Sequence, residues 1–135
     1  IGRTRFRLLA VEPSEPLRAQ VHLLPDDYSE RASALAARVG RHFLSYRDAL
    51  LSAQGIGEPG DEQTPDLPTD PGELAYLVAA AMILDLSDKQ LLLAAPTVDE
   101  RLRLELTLLR RESSMVAGLA LRPGVELPRA PYAPN

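Results

Sequence analysis

The side chains that most often carry catalysis are scarce in this chain of 135 residues, which has one lysine, two histidines and no cysteine. The lack of cysteine excludes a disulfide, a thiolate metal site and a cysteine nucleophile. A Ser-Lys dyad could be built only on Lys89, and Ser87 is the nearby serine. A helix would place side chains two residues apart on different faces. We therefore expect Lys89 to be a solvated helix residue.

The possible metal and phosphate sites are equally sparse. His22 and His42 are 20 residues apart on different predicted elements, so neither a shared metal nor a general-base role is expected. Asp61, Asp66 and Asp70 lack the spacing of a calcium-binding loop. There is also no glycine-rich P-loop motif to hold a phosphate. The sequence therefore predicts no catalytic residue, no metal and no cofactor, and we expect a protein that is not an enzyme.

The acidic charge is concentrated in one segment. The net charge is −4, but residues 55–72 hold five acids and no base, so the rest of the chain is almost neutral. A polyanionic partner would meet no broad basic field. Arg5, Arg7 and Arg18 could form a small basic strip, but no aromatic stacking platform accompanies it. Nucleic acid is therefore not the expected partner, although RNA binding stays open as a weaker alternative.

The beginning of the chain predicts two strands. Residues 5–11 and 17–24 alternate between apolar and polar side chains, and the turn at 12–16 contains two prolines. The apolar positions on one face are Phe6, Leu8, Ala10, Leu17, Ala19, Val21 and Leu23. We expect an antiparallel pair that needs further sheet or helices to be stable. Because the chain opens with Ile1 rather than Met, we expect a fragment or processed product whose missing sheet lies upstream.

The remainder of the chain predicts helices. Ser29 is the expected N-cap of an amphipathic helix that ends near Gln54. Asp70 and Pro71 begin an apolar helix, Ser87 begins a short helix, and Thr97 begins the last. Outward-facing arginines are expected on that last helix at positions 101, 103, 110 and 111, and it should run to about position 112, with a pattern that allows extension to 119. The longest apolar run, at 74–84, has eleven residues, which is too short to span a membrane.

These elements predict an α+β fold that is mostly α, with an antiparallel strand pair followed by a bundle of about four helices. The expected divisions are strands at 1–28, a long amphipathic helix at 29–54, an acidic Pro/Gly-rich loop at 55–72, a helical bundle at 73–122 and a Pro-rich tail at 123–135. With 4% aromatic residues and no tryptophan, the core must be aliphatic.

Several of these segments resemble the substrate-binding domain of Lon proteases. They are, in order, residues 2–9, 17–21, 24–27, 70–75, 84–92 and 98–102, and together they extend over residues 2–112. The most specific combination is Lys-Gln-Leu-Leu at 89–92 followed by Asp-Glu-Arg-Leu at 99–102. The resemblance implies a PUA-like β-barrel joined to a helical bundle, and a cytoplasmic role in recognising unfolded or tagged proteins.

The chain also departs from the family pattern. Full-length Lon proteases add an ATPase and a Ser-Lys peptidase, whereas many bacteria, actinobacteria among them, also have stand-alone proteins with only the binding domain. Here the first barrel strands are absent, the acidic loop is long, and a Pro-rich tail stands where an ATPase would begin. These departures favour the stand-alone type, a non-catalytic chain that could be a fragment or a partner of an ATP-dependent protease.

The resemblance implies a protein-binding module without turnover that recognises unfolded or extended polypeptide. The candidate contact residues are Arg5, Phe6, Arg7 and Arg18. A structural or self-association module is the main alternative, because uncovered apolar strand faces could form a homodimer. RNA binding by a PUA-like domain is the second alternative.

Overall fold

The computed structural model describes residues 4–54 and 65–120, in which two strands precede four helices. The strands are β1 (Arg5–Glu12) and β2 (Arg18–Leu24), and the helices are α1 (Ala32–Ala53), α2 (Pro71–Ala81), α3 (Leu86–Ala94) and α4 (Val98–Ala120). The predicted fold class, α+β and mostly α with an antiparallel strand pair before the helices, is confirmed. The expectations for loop residues 55–64 and for the tail at 123–135 lie outside the described residues.

The hairpin contains a β-bulge at Leu9 that changes which residues share a face. The register pairs Leu8 with Val21 and Ala10 with Gln20. Leu9 therefore has no partner on β2 and is the extra residue of the bulge. Because the insertion shifts the alternation by one, Ala10 lies among the polar side chains and Val11 among the apolar ones. The assignment of Ala10 to the apolar face is therefore wrong. The apolar hairpin face consists of Phe6, Leu8, Val11, Ala19, Val21 and Leu23.

The apolar hairpin face is exposed along its whole length. Phe6 is 57% exposed and its cross-strand partner Leu23 is 62% exposed. The other two pairs of this face, Leu8 with Val21 and Val11 with Ala19, are also exposed. An isolated hairpin is marginal in water, and apolar surface of this kind is typical of an interaction site. The hairpin thus presents an apolar surface that would be stabilised by contact with another part of a protein.

The core lies between the helices. The long helices α1 and α4 pack against each other, and α2 packs on both. The most completely buried apolar side chains are Ala32, Val39, Ala75, Val78, Met82, Leu92, Val98, Leu102 and Leu109. Among the residues that the structure describes, only Phe43 and Tyr46 add aromatic rings to this cluster, so the core is aliphatic, as the composition predicted. Burial of each large side chain contributes about 1.5–3 kcal/mol.

The helix starts agree with the sequence prediction for α2 and α4 and differ for α3 and α1. Asp70 caps α2 by accepting a hydrogen bond from the Glu73 amide at 2.9 Å, with Pro71 in the first turn. The Thr97 hydroxyl accepts a hydrogen bond from the Glu100 amide at the start of α4. Helix α3, however, is capped by Asp85 and not by Ser87, whose hydroxyl instead donates to Asp85 at 2.7 Å. Aspartate provides the stronger acceptor at this position.

Helix α1 also begins slightly later than its predicted cap. Arg31 occupies the cap position without a side-chain hydrogen bond, and the helix begins at Ala32. Ser29 lies one turn earlier, where its hydroxyl accepts from the Arg31 amide at 3.2 Å. Its backbone carbonyl accepts from the Ala32 amide. Ser29 therefore organises the turn that leads into α1 rather than capping the helix itself.

Candidate functional site

Asp26 joins the hairpin to the helices. It follows β2 in the Leu-Pro-Asp-Asp segment at 24–27. Its Oδ1 atom accepts hydrogen bonds from Arg5 Nε and from Arg101 Nη2, both at 3.0 Å. Its Oδ2 atom accepts from the Tyr76 hydroxyl at 2.7 Å. These four residues, which we call the junction network, connect β1, α2 and α4 through one carboxylate.

Arg5 is buried although its strand is otherwise exposed. Its Nη1 atom donates to the carbonyl oxygens of Leu93 at 3.1 Å and Ala95 at 2.5 Å, beside the end of α3. Its Nη2 atom donates to the carbonyl of Pro25 at 3.0 Å. Carbonyls at a helix end lack intrahelical partners and favour a cation. The structure thus gives Arg5 an anchoring role, and its expected contact with polypeptide stays a prediction.

Arg101 is 1% exposed, so the prediction that it faces solvent is wrong. Its guanidinium lies over the Tyr76 ring, with 4.6 Å between the guanidinium carbon and the ring centroid. Its Nε atom donates to the Leu92 carbonyl at 3.2 Å. Ion pairing with Asp26, stacking on the ring and this hydrogen bond offset the cost of burying the charge. The periodicity of α4 indicates only that position 101 is polar. It gives no information about partners that are distant in the sequence.

The pKa values of the junction network fix its protonation. Burial raises the pKa of Asp26, but the hydrogen bond from Tyr76 and the charges of Arg101 and Arg5 outweigh it. The pKa of Asp26 therefore lies below its ordinary value of 3.8. Burial, followed by the hydrogen bond to Asp26, raises the pKa of Tyr76. At neutral pH the carboxylate is thus charged and the phenol remains a donor.

Glu105 lies one helical turn beyond Arg101 and is completely buried. Within the described part of the chain, neither of its carboxyl oxygens has a hydrogen-bond partner, and neither does Arg101 Nη1. Burial raises the pKa of Glu105 to about 9, although the charge of Arg101 opposes the shift. Because a buried charge without partners is costly, Glu105 is protonated at neutral pH.

A second set of contacts holds the residues after Asp26 against the helices. Ser29 donates to Asp99 through its amide at 2.8 Å and its hydroxyl at 2.5 Å. The Tyr28 hydroxyl donates to Asp70 Oδ2 at 3.1 Å. The Asp27 carbonyl accepts from the first amide of α4. The segment between β2 and α1 is therefore tied to the beginnings of both α2 and α4.

A groove of about 1100 Å³ opens where this segment meets α2. We call it the junction groove, and its lining residues are Asp26, Tyr28, Pro68, Asp70, Gly72, Glu73, Tyr76, Leu77, Ala80 and Ala81. Small and aliphatic side chains of α2 supply much of the lining, while carboxylates and tyrosine hydroxyls supply its polar groups. No lysine, arginine or histidine lines the groove among residues 4–54 and 65–120. It is thus a largely apolar channel with an acidic border.

A smaller pocket of about 220 Å³ adjoins the junction groove. It is formed by α2, α3 and α4, and shares Tyr76 and Ala80 with the groove. Its other lining residues are Ala79, Lys89, Leu92, Leu93 and Arg101. Tyr76 therefore belongs to both cavities and to the junction network.

The four predicted contact residues do not form one surface. Arg7 and Arg18 are exposed on the polar face of the hairpin, near opposite ends, and Phe6 is exposed on the apolar face. Arg5 is buried at the base of the hairpin, and none of the four lines the junction groove. Their contact with polypeptide stays a prediction, and the structure points to α2 as a further candidate surface.

The residues considered for catalysis are dispersed. The Ser87 hydroxyl is engaged by Asp85, and Lys89 is exposed on α3. His22 and His42 are exposed on β2 and α1. Over the described ranges, no group of three potential metal ligands occurs. Nor does any helix there have the length and apolar character needed to cross a membrane.

Sequence reasoning missed Asp26, Tyr76 and Arg101 as a unit. Two signals were present: Asp26 lies in segment 24–27, which resembles the Lon family, and Tyr76 is the single aromatic residue in the apolar run at 74–84. A polar-tipped aromatic ring in a buried helix requires a partner for its hydroxyl. The identity of that partner could not be obtained from spacing, because it lies 50 residues away.

Comparison with known proteins agrees with this architecture. Residues 1–111 match the family model described as the ATP-dependent protease La (LON) substrate-binding domain. None of the curated proteins matches the sequence. The matched model describes a substrate-binding domain, and the match covers over four-fifths of the chain, including the hairpin, the junction network and the first half of α4. The chain therefore belongs to the Lon substrate-binding domain family.

Proposed function

We propose that this protein binds unfolded or extended segments of other proteins in the junction groove, without chemical turnover. The observation that carries the proposal is the groove itself, which is large, mostly apolar and lined in part by the hydrogen-bonded residues Asp26 and Tyr76. Binding sites are commonly concave and apolar, with a few polar groups that orient the ligand. Membership of a substrate-binding family supports a protein as the ligand.

The geometry of the groove suits an extended chain. Ala80 and Ala81 are exposed on α2 and leave room for apolar side chains of a ligand. The tyrosine hydroxyls and carboxylates at the border can hydrogen-bond to peptide groups. The junction network holds Tyr76 in place, so little ordering of the site is needed when a ligand binds. Arg7, Arg18 and Phe6 would contribute outside the groove, where a longer segment passes the hairpin.

The same proposal includes the cellular setting that the family implies. The protein would act in the bacterial cytoplasm, as a stand-alone binding module related to ATP-dependent proteolysis. The hairpin would belong to a PUA-like barrel. Because the junction groove lacks basic residues among those described, it offers no site for a nucleic-acid backbone.

The test is a binding assay with an unfolded protein, such as reduced carboxymethylated casein, and with labelled peptides derived from it. We expect saturable binding to the full chain, measured by fluorescence anisotropy. Ala80→Trp should fill the groove and weaken binding at least tenfold. Ala37→Trp is the matched control, because Ala37 is also an exposed helical alanine but lies on α1 away from the groove.

The folded state of both variants is checked by circular dichroism and thermal unfolding. Equal binding by wild type, Ala80→Trp and Ala37→Trp would exclude the junction groove as the site. Absence of saturable binding by wild type would exclude the polypeptide-binding function.

Self-association is a second candidate, favoured by the apolar hairpin face. Its six side chains are exposed, and the bulge at Leu9 makes the face continuous. A second copy could cover it and form a homodimer. This candidate predicts that association and peptide binding depend on different residues, since none of these six lines the groove.

A further inference from the structure

The carboxylates that line the junction groove differ in how they are paired. Asp26, which contacts Tyr76 midway along α2, is paired with Arg5 and Arg101, so its negative charge is already balanced. Asp70 is the N-cap of α2, and Glu73 lies in the first turn of that helix. Neither of these two carboxylates forms an ion pair with a described residue. The negative charge available to a ligand is therefore located at the N-terminal end of α2.

Both carboxylates at this end are positioned for a ligand. Asp70 is held by the Glu73 amide and by the Tyr28 hydroxyl, which fix the orientation of its carboxylate. Glu73 is exposed and lines the groove. The ring of Tyr28 is half exposed beside them. Carboxylates next to an aromatic ring are a favourable setting for a guanidinium or ammonium group.

The apolar part of the groove lies next to this acidic end. Leu77 is one helical turn beyond Glu73 on α2, and Ala81 is one turn beyond Leu77. An aliphatic or aromatic side chain could pack here while a neighbouring cationic side chain reaches Asp70 and Glu73. We propose that the junction groove selects polypeptide segments in which an arginine or lysine adjoins a bulky apolar residue. This inference rests on the proposed function and specifies its substrate class.

The test uses three labelled peptides that share an apolar sequence and differ at one position, which is Arg, Gln or Glu. With the full chain at low salt, we expect the Arg peptide to bind about two- to fivefold more tightly than the Gln peptide, with the Glu peptide weakest. This range is typical of exposed charge pairs. The preference should shrink at high salt, because exposed ion pairs are screened.

Two substitutions locate the preference. Asp70→Asn keeps a helix-capping side chain and Glu73→Gln keeps the shape, so the double variant should fold while losing both charges. It should bind the Arg and Gln peptides with nearly equal affinity. Glu100→Gln is the matched control, because Glu100 is exposed in the first turn of α4 and does not line the groove. It should keep the wild-type preference.

The outcomes separate this inference from the proposed function. Equal affinity of wild type for the Arg and Gln peptides, with binding still lost in Ala80→Trp, would overturn the charge selectivity and leave the binding function in place. A preference that persists in the double variant would also overturn it. If no peptide binds saturably, the proposed function and this inference both fail.

Discussion

Arg5 Nε and Asp26 Oδ1 are 3.0 Å apart at the base of the hairpin, where the side chain of Arg5 is 2% exposed and that of Asp26 is 26% exposed. Through this pair the hairpin is attached to the helices. The rest of β1 and β2 is largely exposed and contributes little to the core. The orientation of the hairpin therefore depends on polar contacts more than on apolar packing.

Arg5→Ala should destabilise the protein by about 3 kcal/mol or more, because it leaves the end of α3 and one side of Asp26 without their donor. Urea unfolding followed by circular dichroism measures the change. Arg7→Ala is the control, since Arg7 is an exposed arginine on the same strand face, and it should change the free energy of unfolding by less than about 0.5 kcal/mol. Similar effects of the two substitutions would contradict the anchoring role of Arg5.

Asp26→Asn should reduce stability at pH 6 by about 3 kcal/mol, because two buried guanidinium groups lose their shared counterion. The pKa of Asp26 is lowered in the folded state. Its contribution is therefore complete above the ordinary pKa of 3.8 and is lost as the pH falls through the folded value. The difference between wild type and variant should shrink below about pH 4.

The control for this pH dependence is Asp48→Asn, which removes an exposed carboxylate paired with Arg47. Its effect should be small at every pH. If the difference between wild type and Asp26→Asn is the same at pH 6 and pH 3, Asp26 does not titrate as its contacts require.

Glu105→Gln should stabilise the protein at pH 7. The folded pKa of about 9 lies above the ordinary 4.5, so the folded state retains a proton that the unfolded state releases. Stability from this group falls as the pH rises from about 4.5 to about 9, by about 1.4 kcal/mol per pH unit. Removing the titration should gain up to about 3 kcal/mol at pH 7 and flatten the profile.

Unfolding free energies at pH 5, 6, 7 and 8 test this prediction. Glu100→Gln on the same helix is the control, since Glu100 is exposed and should leave the slope unchanged. Parallel profiles for wild type and Glu105→Gln would mean that Glu105 is charged in the folded protein.

Val21→Glu should weaken any self-association, because it places a charge in the middle of the apolar hairpin face. Sedimentation velocity over a range of concentrations measures the oligomeric state. Ala10→Glu is the control, since Ala10 is exposed on the opposite face of the hairpin. A wild-type monomer at all concentrations would rule out the homodimer, and equal effects of the two substitutions would rule out this face as its interface.

The sequence by itself determined the helices and the character of the core. Asp70 and Pro71 predict the start of α2 from local chemistry alone, since a capping carboxylate and a fixed proline φ act on the next turn. The repeat of Leu102, Leu106 and Leu109 likewise predicts the buried stripe of α4. These features depend on neighbours within one or two helical turns.

Only the tertiary structure decided that Arg101 and Glu105 are buried and that Ala10 lies on the polar face of the hairpin. Arg101 is buried because Asp26 and Tyr76, 75 and 25 residues away in sequence, come together around it. Glu105 is buried by the same packing, and the bulge that moves Ala10 is defined only by the pairing of two strands. Periodicity records the polarity of each side chain, whereas burial of a charge depends on partners that the chain brings together only when it folds.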